Sequence, residues 1–573
     1  MKARLLLLTA VLANTLPAAA QWSTNPVQNL AVRDQPGTGE VTPRIAPAPG
    51  GGTWVAWFET APAINYQMRL QLLDASGRPQ LGTAGLLVSA NPQSSALFRY
   101  DLKADNLGNA VLAFQDTRTG GATQCVVYKI SPAGQQLWGA NGIPLLDPAA
   151  TSGLSPVLGI TSGNNVVVGW TAGGTANAAR SSKWVPVLKY SAAGAALWAA
   201  PVRLQDPVKR YSRPTFASVP GSEDMVAQYV EETGSGLGVS TVYAQRFDAS
   251  GAPVWAAPVR VSDKTIGFAA FPEQVPDGSG GYFTLLGSGN PANANLGDMY
   301  AQRVLANGSL PWGLTGTEVL TGTATARIGG ALQWVGARSE VWTVVNELNS
   351  SQSQSGFTAQ RLDAATGARQ LGGSGVPLLA VSPSYYAAQS LRDTGTGLII
   401  SYIENTSALN RALWATKIDY QAQSAFPTSS GQVLLSTGTS AKLNFVTLPF
   451  AANQLVHVWA DRRTDDGIYA QTIADNGALG VVLGTRTILA AARPLAISPN
   501  PGAAAVLHLD LPHAQTRTMA VRDLHGRLVL RWEALAGPGA TAVPLVAPEL
   551  AAGVYVVEAA GAGQQWRGRW VKL

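Results

Sequence analysis

The side chains best suited to acid–base chemistry in this sequence are carboxylates that recur just behind short apolar runs. They are Glu59, Asp116, Glu231 with Glu232, Glu404 and Asp461. If these positions share one edge of a fold, a pair could serve as general acid and base in cleaving a polysaccharide, which requires a separation of about 5–10 Å. The pattern therefore leaves open a polysaccharide-active hydrolase or lyase.

Two of these carboxylates stand close to arginines. Asp116 lies near Arg118 in FQDTRTGG, and Asp461 lies near Arg462 and Arg463 in WADRRTDDG. One interpretation is a binding edge built from Asp116, Arg118, Asp461 and Arg462. The other, which we favour, is a structural clasp in which Asp accepts backbone hydrogen bonds and pairs with Arg. The clasp is favoured because functional sites usually break a repeat, whereas these residues follow one.

Histidine is too scarce for most catalytic or metal sites. Three of the four, His508, His513 and His525, lie near the C-terminus, and His457 lies inside an apolar run. A Ser-His-Asp triad or a histidine-rich metal site is therefore not expected before residue 490. No cofactor is expected either, because Asp465-Asp466-Gly467 lacks the regular spacing of acidic oxygens that a calcium loop needs and is only a weak calcium signal.

The elements that must position these residues form a repeat. Successive turn glycines are separated by 57, 60, 57, 57, 59 and 110 residues, and the last interval is two periods of 55. The glycines are Gly77, Gly134, Gly194, Gly251, Gly308, Gly367 and Gly477. Eight copies therefore span roughly residues 27–489, with a period at or slightly above those of radially repeated folds.

Each copy contains four short strand-like runs, of which the clearest is VYAQRFDASG from Val242. This predicts an all-β fold, a β-propeller in which each sheet hides its faces against its neighbours. Eight blades are favoured, and seven with one copy outside the ring is the alternative. Unpartnered runs at Val27 and Arg486 predict that both chain ends share the closing blade. The tryptophans that follow the turns are expected to pack between blades: Trp138, Trp198, Trp255 and Trp312.

Composition agrees with short strands joined by many turns. Hydrophobic residues make up 46% of the chain and charged residues 13%, and there are 61 glycines and 35 prolines. The net charge is +6, but 40 Lys and Arg are scattered among 34 acidic residues. Because no basic stripe forms, a nucleic-acid partner is not expected.

The N-terminus predicts export. Lys2 and Arg4 precede the apolar run 5–16, and small residues at 18–20 suit signal peptidase, so residues 1–20 are expected to be removed. That run is too short to span a bilayer. Cys125, the single cysteine, cannot form an internal disulfide and is expected to be a buried small hydrophobe. We predict a repeat domain over residues 21–490 and a separate C-terminal module over 494–573.

The C-terminal module reads as alternating strands separated by turns, which suits a small Ig-like antiparallel sandwich. Its landmarks are Pro499-Asn500-Pro501, the DLHGRLV segment with Asp523, Gly526 and Arg527, the GVYVV segment with Gly553 and Tyr555, and Lys572 in the final VKL. In this order they resemble the type A C-terminal sorting domain of the type IX secretion system of Bacteroidota. The resemblance implies recognition by that machinery, passage through the outer membrane, and release or attachment at the cell surface.

Two functional hypotheses follow. The main one is a secreted or surface-attached propeller that binds a glycan or a protein through one rim, which suits its low charge and lack of catalytic residue types. The alternative is the polysaccharide hydrolase or lyase that uses rim carboxylates. An adhesive module with no sorting role is the alternative for the C-terminal domain.

Overall fold

The computed structural model describes residues 22–480 and 493–573, except for 94–98, 119, 234–239, 268–271, 291–292, 323–324, 408, 512–514, 524–527, 538 and 562–563. The predicted signal peptide and the run at Arg486 lie outside the described residues. The chain divides into two compact units, residues 1–481 and 482–573. Among the described residues, no helix combines the length and the apolar character needed to cross a membrane.

The described part of the first unit contains eight antiparallel sheets of four strands each, which confirms the all-β prediction. The first strand, β1 (Leu30–Arg33), belongs to the eighth sheet. Sheet 1 contains β2 (Glu40–Ala48), β3 (Gly52–Ala61), β4 (Asn65–Leu73) and β5 (Leu86–Ser89), and sheet 2 contains β6 (Asp101–Ala104), β7 (Ala110–Asp116), β8 (Gln124–Ile130) and β9 (Ile143–Leu145). Sheet 3 contains β10 (Ser152–Ile160), β11 (Val166–Gly173), β12 (Lys183–Tyr190) and β13 (Val202–Leu204). Sheet 4 contains β14 (Arg210–Ser218), β15 (Met225–Glu232), β16 (Ser240–Phe247) and β17 (Val259–Arg260).

The remaining sheets repeat this order of strands. Sheet 5 contains β18 (Gln274–Pro276), β19 (Tyr282–Asn290), β20 (Asn293–Val304) and β21 (Thr317–Glu318), and sheet 6 contains β22 (Ala326–Val335), β23 (Glu340–Leu348), β24 (Ser355–Asp363) and β25 (Val376–Ser382). Sheet 7 contains β26 (Tyr385–Asp393), β27 (Leu398–Asn405), β28 (Arg411–Ile418) and β29 (Gln432–Ser436). Sheet 8 contains β30 (Ala441–Thr447), β31 (Leu455–Arg462) and β32 (Asp466–Ile473) together with β1. Single 3-10 turns at Pro49–Gly51 and Gly336–Arg338 connect the first two strands of sheets 1 and 6.

The apolar runs of the repeat form the second strand of each sheet. These strands are buried on both faces, as β7 is over its whole length, because other sheets cover each sheet from both sides. A strand buried on both faces needs a continuous apolar run rather than an alternating one. This explains why the runs around Trp54 and Val166 lack alternation.

The eighth sheet joins the two ends of the repeat. Its strand order is β1-β32-β31-β30, and Leu30 pairs with Ala470. Sheet 8 packs in turn on sheet 1, since Val458 and Val55 belong to one core cluster. The N-terminal run therefore completes the last sheet, as expected from the sequence.

Tryptophans after the turns connect successive sheets. The indole N–H of Trp255 in sheet 4 donates to Ala306 O in the turn of sheet 5 at 3.0 Å. The ring also lies against Gly308, whose φ is +86° and where a Cβ would stand 2.9 Å from the indole. Three other tryptophans donate in the same way to the turn of the following sheet: Trp138, Trp198 and Trp312. These four side chains therefore pack between successive sheets, in the positions where packing between repeats was expected.

The second unit consists of two sheets that share one core. A five-stranded sheet has the order β33-β40-β39-β36-β37 and a three-stranded sheet the order β34-β35-β38. The strands are β33 (Arg493–Pro494), β34 (Ala496–Ser498), β35 (Ala505–Leu511), β36 (Gln515–Arg522), β37 (Leu528–Ala536), β38 (Gly539–Leu545), β39 (Gly553–Gly561) and β40 (Gln564–Lys572). Leu507 of one sheet and Val557 and Trp570 of the other meet in a single hydrophobic cluster.

Candidate functional site

The carboxylates singled out from the sequence lie at equivalent positions. In the described part of the chain, six of the eight second strands carry an acidic residue within their last three residues. Antiparallel pairing places this end beside the start of the first strand, as in the pairs Glu40 with Glu59 and Lys442 with Asp461. We call this edge the carboxylate rim. Glu347 also belongs to it and was missed, although it follows its apolar run at the same spacing.

Asp116 is held in a buried clasp with Arg118. The Asp116 side chain has no exposed surface, and Arg118 Nη2 lies 2.6 Å from its Oδ2. Arg118 Nε donates to both carboxylate oxygens at 3.0 Å, and Nη1 donates to Asn141 O at 2.7 Å. The pair therefore ties the β7–β8 connection to the segment that precedes β9, a geometry that suits the clasp interpretation.

Asp461 pairs with Arg463 and not with Arg462. Arg463 Nε lies 3.0 Å from Asp461 Oδ2, whereas the Arg462 side chain is 58% exposed and pairs with Asp466 at 2.9 Å. The reason is strand alternation, which sends neighbouring side chains to opposite faces and those two residues apart to the same face. The predicted binding residues Asp461 and Arg462 are therefore not brought together.

A buried lysine and a serine complete the Asp461 cluster. Lys442 Nζ donates to Thr437 O at 2.7 Å and to Ser440 Oγ at 2.9 Å, and it lies 3.6 Å from Asp461 Oδ2. Ser440 donates to Asp461 in turn. Burial lowers the pKa of Lys442, and the nearby Asp461 carboxylate opposes that shift. Sequence reasoning missed both residues because they come from the loop and first strand, which no motif marks.

A pocket of about 310 Å³ opens beside this cluster, and we call it the rim pocket. Its lining residues are Val27, Thr437, Thr439, Ser440, Lys442 and Arg463. The N-terminal segment, the loop from sheet 7 to sheet 8 and the β31–β32 turn each contribute to the wall. The pocket therefore exists only because three distant parts of the chain meet there.

A larger cavity of about 440 Å³, the inter-sheet cavity, lies where sheets 5, 6 and 7 meet. Its wall is apolar, with Val275, Leu285, Met299 and Leu332, and its polar side chains are Glu273, Gln389 and Arg392. Glycines at positions 287, 329 and 330 leave further space along the wall. Sheet 5 also departs from the repeat at the rim, since β19 ends in Ser288-Gly289-Asn290 without a carboxylate.

Glu273 is the exposed acid of the inter-sheet cavity. Its side chain is 74% exposed and lies 3.0 Å from Arg99 Nη2. Arg392, also in the lining, donates to the backbone carbonyls of Thr447 and Leu448 at 3.1 and 3.2 Å. Burial lowers the pKa of Arg392, and the Glu273 charge opposes that shift. No repeated signal marks Glu273, because it lies outside the rim pattern.

His457 is a core residue. It is fully buried, its Nε2 lies 2.7 Å from Ser401 Oγ, and its ring stacks on Phe445 with centroids 5.3 Å apart. Burial lowers its pKa to about 3, so the ring is neutral at physiological pH. Cys125 is likewise buried, and burial raises the pKa of its thiol.

The acidic residues of the weak calcium signal contact other groups of the protein. Asp465 accepts a hydrogen bond from Gly37 N at 2.8 Å, and Asp466 pairs with Arg462. Within the described residues, no group of three or more His, Cys, Asp or Glu side chains is placed to hold a metal ion.

Residues of the predicted sorting motif connect the start of the second unit to its last strand. Asn500, between Pro499 and Pro501, accepts from Val571 N at 2.8 Å and donates to Arg569 O at 2.6 Å. Tyr555 Oη donates to Ala551 O at 2.8 Å.

The remaining motif residues have simpler placements. Lys572 Nζ donates to Leu550 O, and Gly553 begins β39. Asp523 follows β36, and Gly526 and Arg527 lie outside the described residues.

Comparison with known proteins gives no family. No family model and no curated protein matches the chain. Among solved structures, it is similar to the polysaccharide lyase Uly1 (11% identity, 70% of this chain and 93% of that one, TM-score 0.35) and to a puromycin hydrolase (14%, 77% and 61%, 0.39). It is also similar to an α-L-arabinanase of Penicillium chrysogenum complexed with arabinobiose (12%, 57% and 94%, 0.32). Identities and TM-scores this low do not indicate what activity this chain has.

Proposed function

We propose that this chain is a secreted or cell-surface protein whose repeat unit binds a glycan or a protein ligand. The main support for this proposal is the inter-sheet cavity. Its volume of about 440 Å³ is within the range of ligand sites, which combine an apolar wall with a few polar side chains. Sheet 5, which lines this cavity, is one of two sheets, with sheet 3, whose second strand ends without a carboxylate.

We also propose that the first unit is an eight-bladed β-propeller and the second an Ig-like sandwich. The return of sheet packing from sheet 8 to sheet 1 supports the closed propeller. The shared core of the two C-terminal sheets supports the sandwich. In this arrangement the carboxylate ends of the second strands all belong to one rim.

Binding is tested with the full chain against an array of glycans and candidate surface proteins, followed by titration of any positive ligand. Ala331→Phe fills the inter-sheet cavity and is expected to weaken ligand binding at least about tenfold, since overpacking removes the space. Leu107→Phe, at an exposed position outside the cavity lining, adds an aromatic ring as a matched control and is expected to leave binding unchanged. Absence of any ligand, or equal binding by both variants, would contradict the proposal.

A second candidate function is a polysaccharide hydrolase or lyase. One observation favours it, because Glu273 offers an accessible carboxylate beside the inter-sheet cavity, whereas Asp116 and Asp461 are fully buried in ion pairs. If this function is correct, the chain turns over a polysaccharide and Glu273→Gln abolishes turnover while Asp101→Asn does not. Reducing-end release and the absorbance of unsaturated products distinguish hydrolase from lyase. Turnover unaffected by Glu273→Gln would remove the cavity from this mechanism.

We propose that residues 494–573 direct export through the type IX secretion machinery after residues 1–20 direct passage across the inner membrane. The ordered motifs and the bonds that Asn500 makes to the last strand support this role. In a bacterium with this secretion system, a chain lacking residues 494–573 is expected to accumulate in the periplasm. Equal amounts of full and truncated chain at the surface or in the medium would refute the sorting role.

A further inference from the structure

The rim pocket differs from the inter-sheet cavity in the chemistry of its lining. Two cationic side chains, Lys442 and Arg463, and three hydroxyl side chains line it together with Val27. No carboxylate is among these lining residues. Asp461 pairs with both cations but has no exposed surface, so it lies behind the wall.

The charges around the pocket do not cancel. Lys442 and Arg463 share the single carboxylate of Asp461, which leaves one net positive charge on the cluster. The neighbouring Arg462 is already paired with Asp466 and its side chain points to the other face of the strand. A partly desolvated positive charge gains more from an added anion than a surface lysine does, because less water screens it.

Several donors in the lining are weakly engaged. Arg463 Nη1 has only a 3.5 Å contact with Val27 O, although Nη2 donates to Asn29 Oδ1 at 2.7 Å. The hydroxyls of Thr437 and Thr439 share a long contact of 3.4 Å. The threonine hydroxyls can rotate towards a ligand oxygen, and Arg463 Nη1 can donate to one in place, while Nε and Nη2 keep their bonds to Asp461 and Asn29.

We infer that the rim pocket binds the acidic group of a glycan, a carboxylate or a sulfate carried on a sugar ring. The volume of about 310 Å³ is at the small end of ligand pockets and suits one acidic sugar residue. The cluster provides the charge and the threonines provide hydrogen bonds that a neutral sugar would not use as strongly. This inference goes beyond the proposed function, because it assigns a second ligand site, separate from the inter-sheet cavity, and names an acidic sugar as its ligand class.

The test is calorimetric titration of the full chain with glucuronate, glucose 6-sulfate, glucose and inorganic sulfate. We expect the two acidic sugars to bind at least about tenfold more tightly than glucose, since hydrogen bonds between ionised partners are stronger than those between neutral ones. Arg463→Gln should weaken acid binding about tenfold and Thr439→Val severalfold. Arg462→Gln removes the same charge from the other face and should leave binding unchanged.

The outcomes distinguish failure of the rim-pocket inference from failure of the proposed ligand-binding function. Equal weakening by Arg462→Gln and Arg463→Gln would mean that only bulk charge matters and would overturn the rim pocket. Binding by inorganic sulfate as tight as by the acidic sugars would mean an anion site without a sugar role and would overturn the acidic-glycan inference. Since Thr439 is exposed, we expect Thr439→Val to fold normally, so it keeps the test valid if Arg463→Gln is unstable. Ligands found on the array whose binding ignores all rim variants would leave the proposed function standing and refute this inference alone.

Discussion

At the scale of single residues, the repeated carboxylates act mainly as crosslinks. Glu59 is 2% exposed and lies 2.9 Å from Arg33 Nε and 2.7 Å from Arg69 Nε. It thereby connects β1 of the eighth sheet to β4 of the first. A carboxylate enclosed in this way stabilises a strand end and is not available for proton transfer to a ligand.

Glu40 should make stability depend on pH. Burial is the main cause that raises its pKa from 4.5 to about 7, with the Glu59 charge adding to it. The folded state then holds the proton more tightly than the unfolded state, so the contribution of Glu40 to stability is fully present below about pH 4.5 and is lost as pH rises through about 7. The loss amounts to about 3 kcal/mol for a shift of this size. Glu40→Gln should remove this part of the pH dependence in urea unfolding between pH 5 and pH 8, and an unchanged slope would contradict the assignment.

Removing one partner of the Asp116 clasp should be costly. Asp116→Asn leaves Arg118 largely buried without its counter-charge, and breaking a buried pair on one side costs about 3–5 kcal/mol. Asp116→Asn with Arg118→Gln should recover part of the loss, since no unpaired charge remains. Thermal and urea unfolding of both variants test this. If the single and double variants are both as stable as the wild type, the ion pair between Asp116 and Arg118 does not contribute to stability.

At the scale of elements, the turn glycine couples one sheet to the next. Gly308→Ala both forces an alanine into φ +86° and brings its Cβ to 2.9 Å from Trp255. Gly221→Ala, at φ +67° with no atom within 4 Å, isolates the backbone strain and should cost about 1 kcal/mol. We expect Gly308→Ala to cost clearly more in the urea midpoint. An equal cost would mean that the tryptophan moves aside freely.

At the scale of the whole repeat unit, the N-terminus takes the place of a missing tryptophan. Trp22 lies 3.0 Å from a Cβ position on Gly77 and donates to Ala75 O at 2.8 Å, the contact that Trp198 makes with Ala249 between sheets 3 and 4. Sheet 8 provides no tryptophan after its own turn glycine, Gly477. The start of the chain therefore fills the seam between the last sheet and the first.

Removing the N-terminal segment should break the contact between the last sheet and the first. A chain without residues 22–33 exposes the edge of β32 and the apolar side chains beneath β1, and an unprotected edge promotes association. We expect faster limited proteolysis near residues 466–480 and oligomers in size-exclusion chromatography. Trp198→Ala, an equivalent loss inside the repeat, serves as control and should lower stability by about 3–5 kcal/mol without creating an open edge. Identical proteolysis of both variants would argue against a seam at this position.

The sequence by itself determined the repeated strands, the turn glycines and the tryptophans that pack on them, because these depend on local periodicity and on residue types that few other positions tolerate. It also placed the carboxylates at equivalent strand ends. Only the tertiary structure decided that Asp461 faces Arg463, that Trp22 fills the last seam, and that Glu273 borders a cavity. Those outcomes depend on which side a strand turns and on contacts between residues hundreds of positions apart, and no local pattern encodes either.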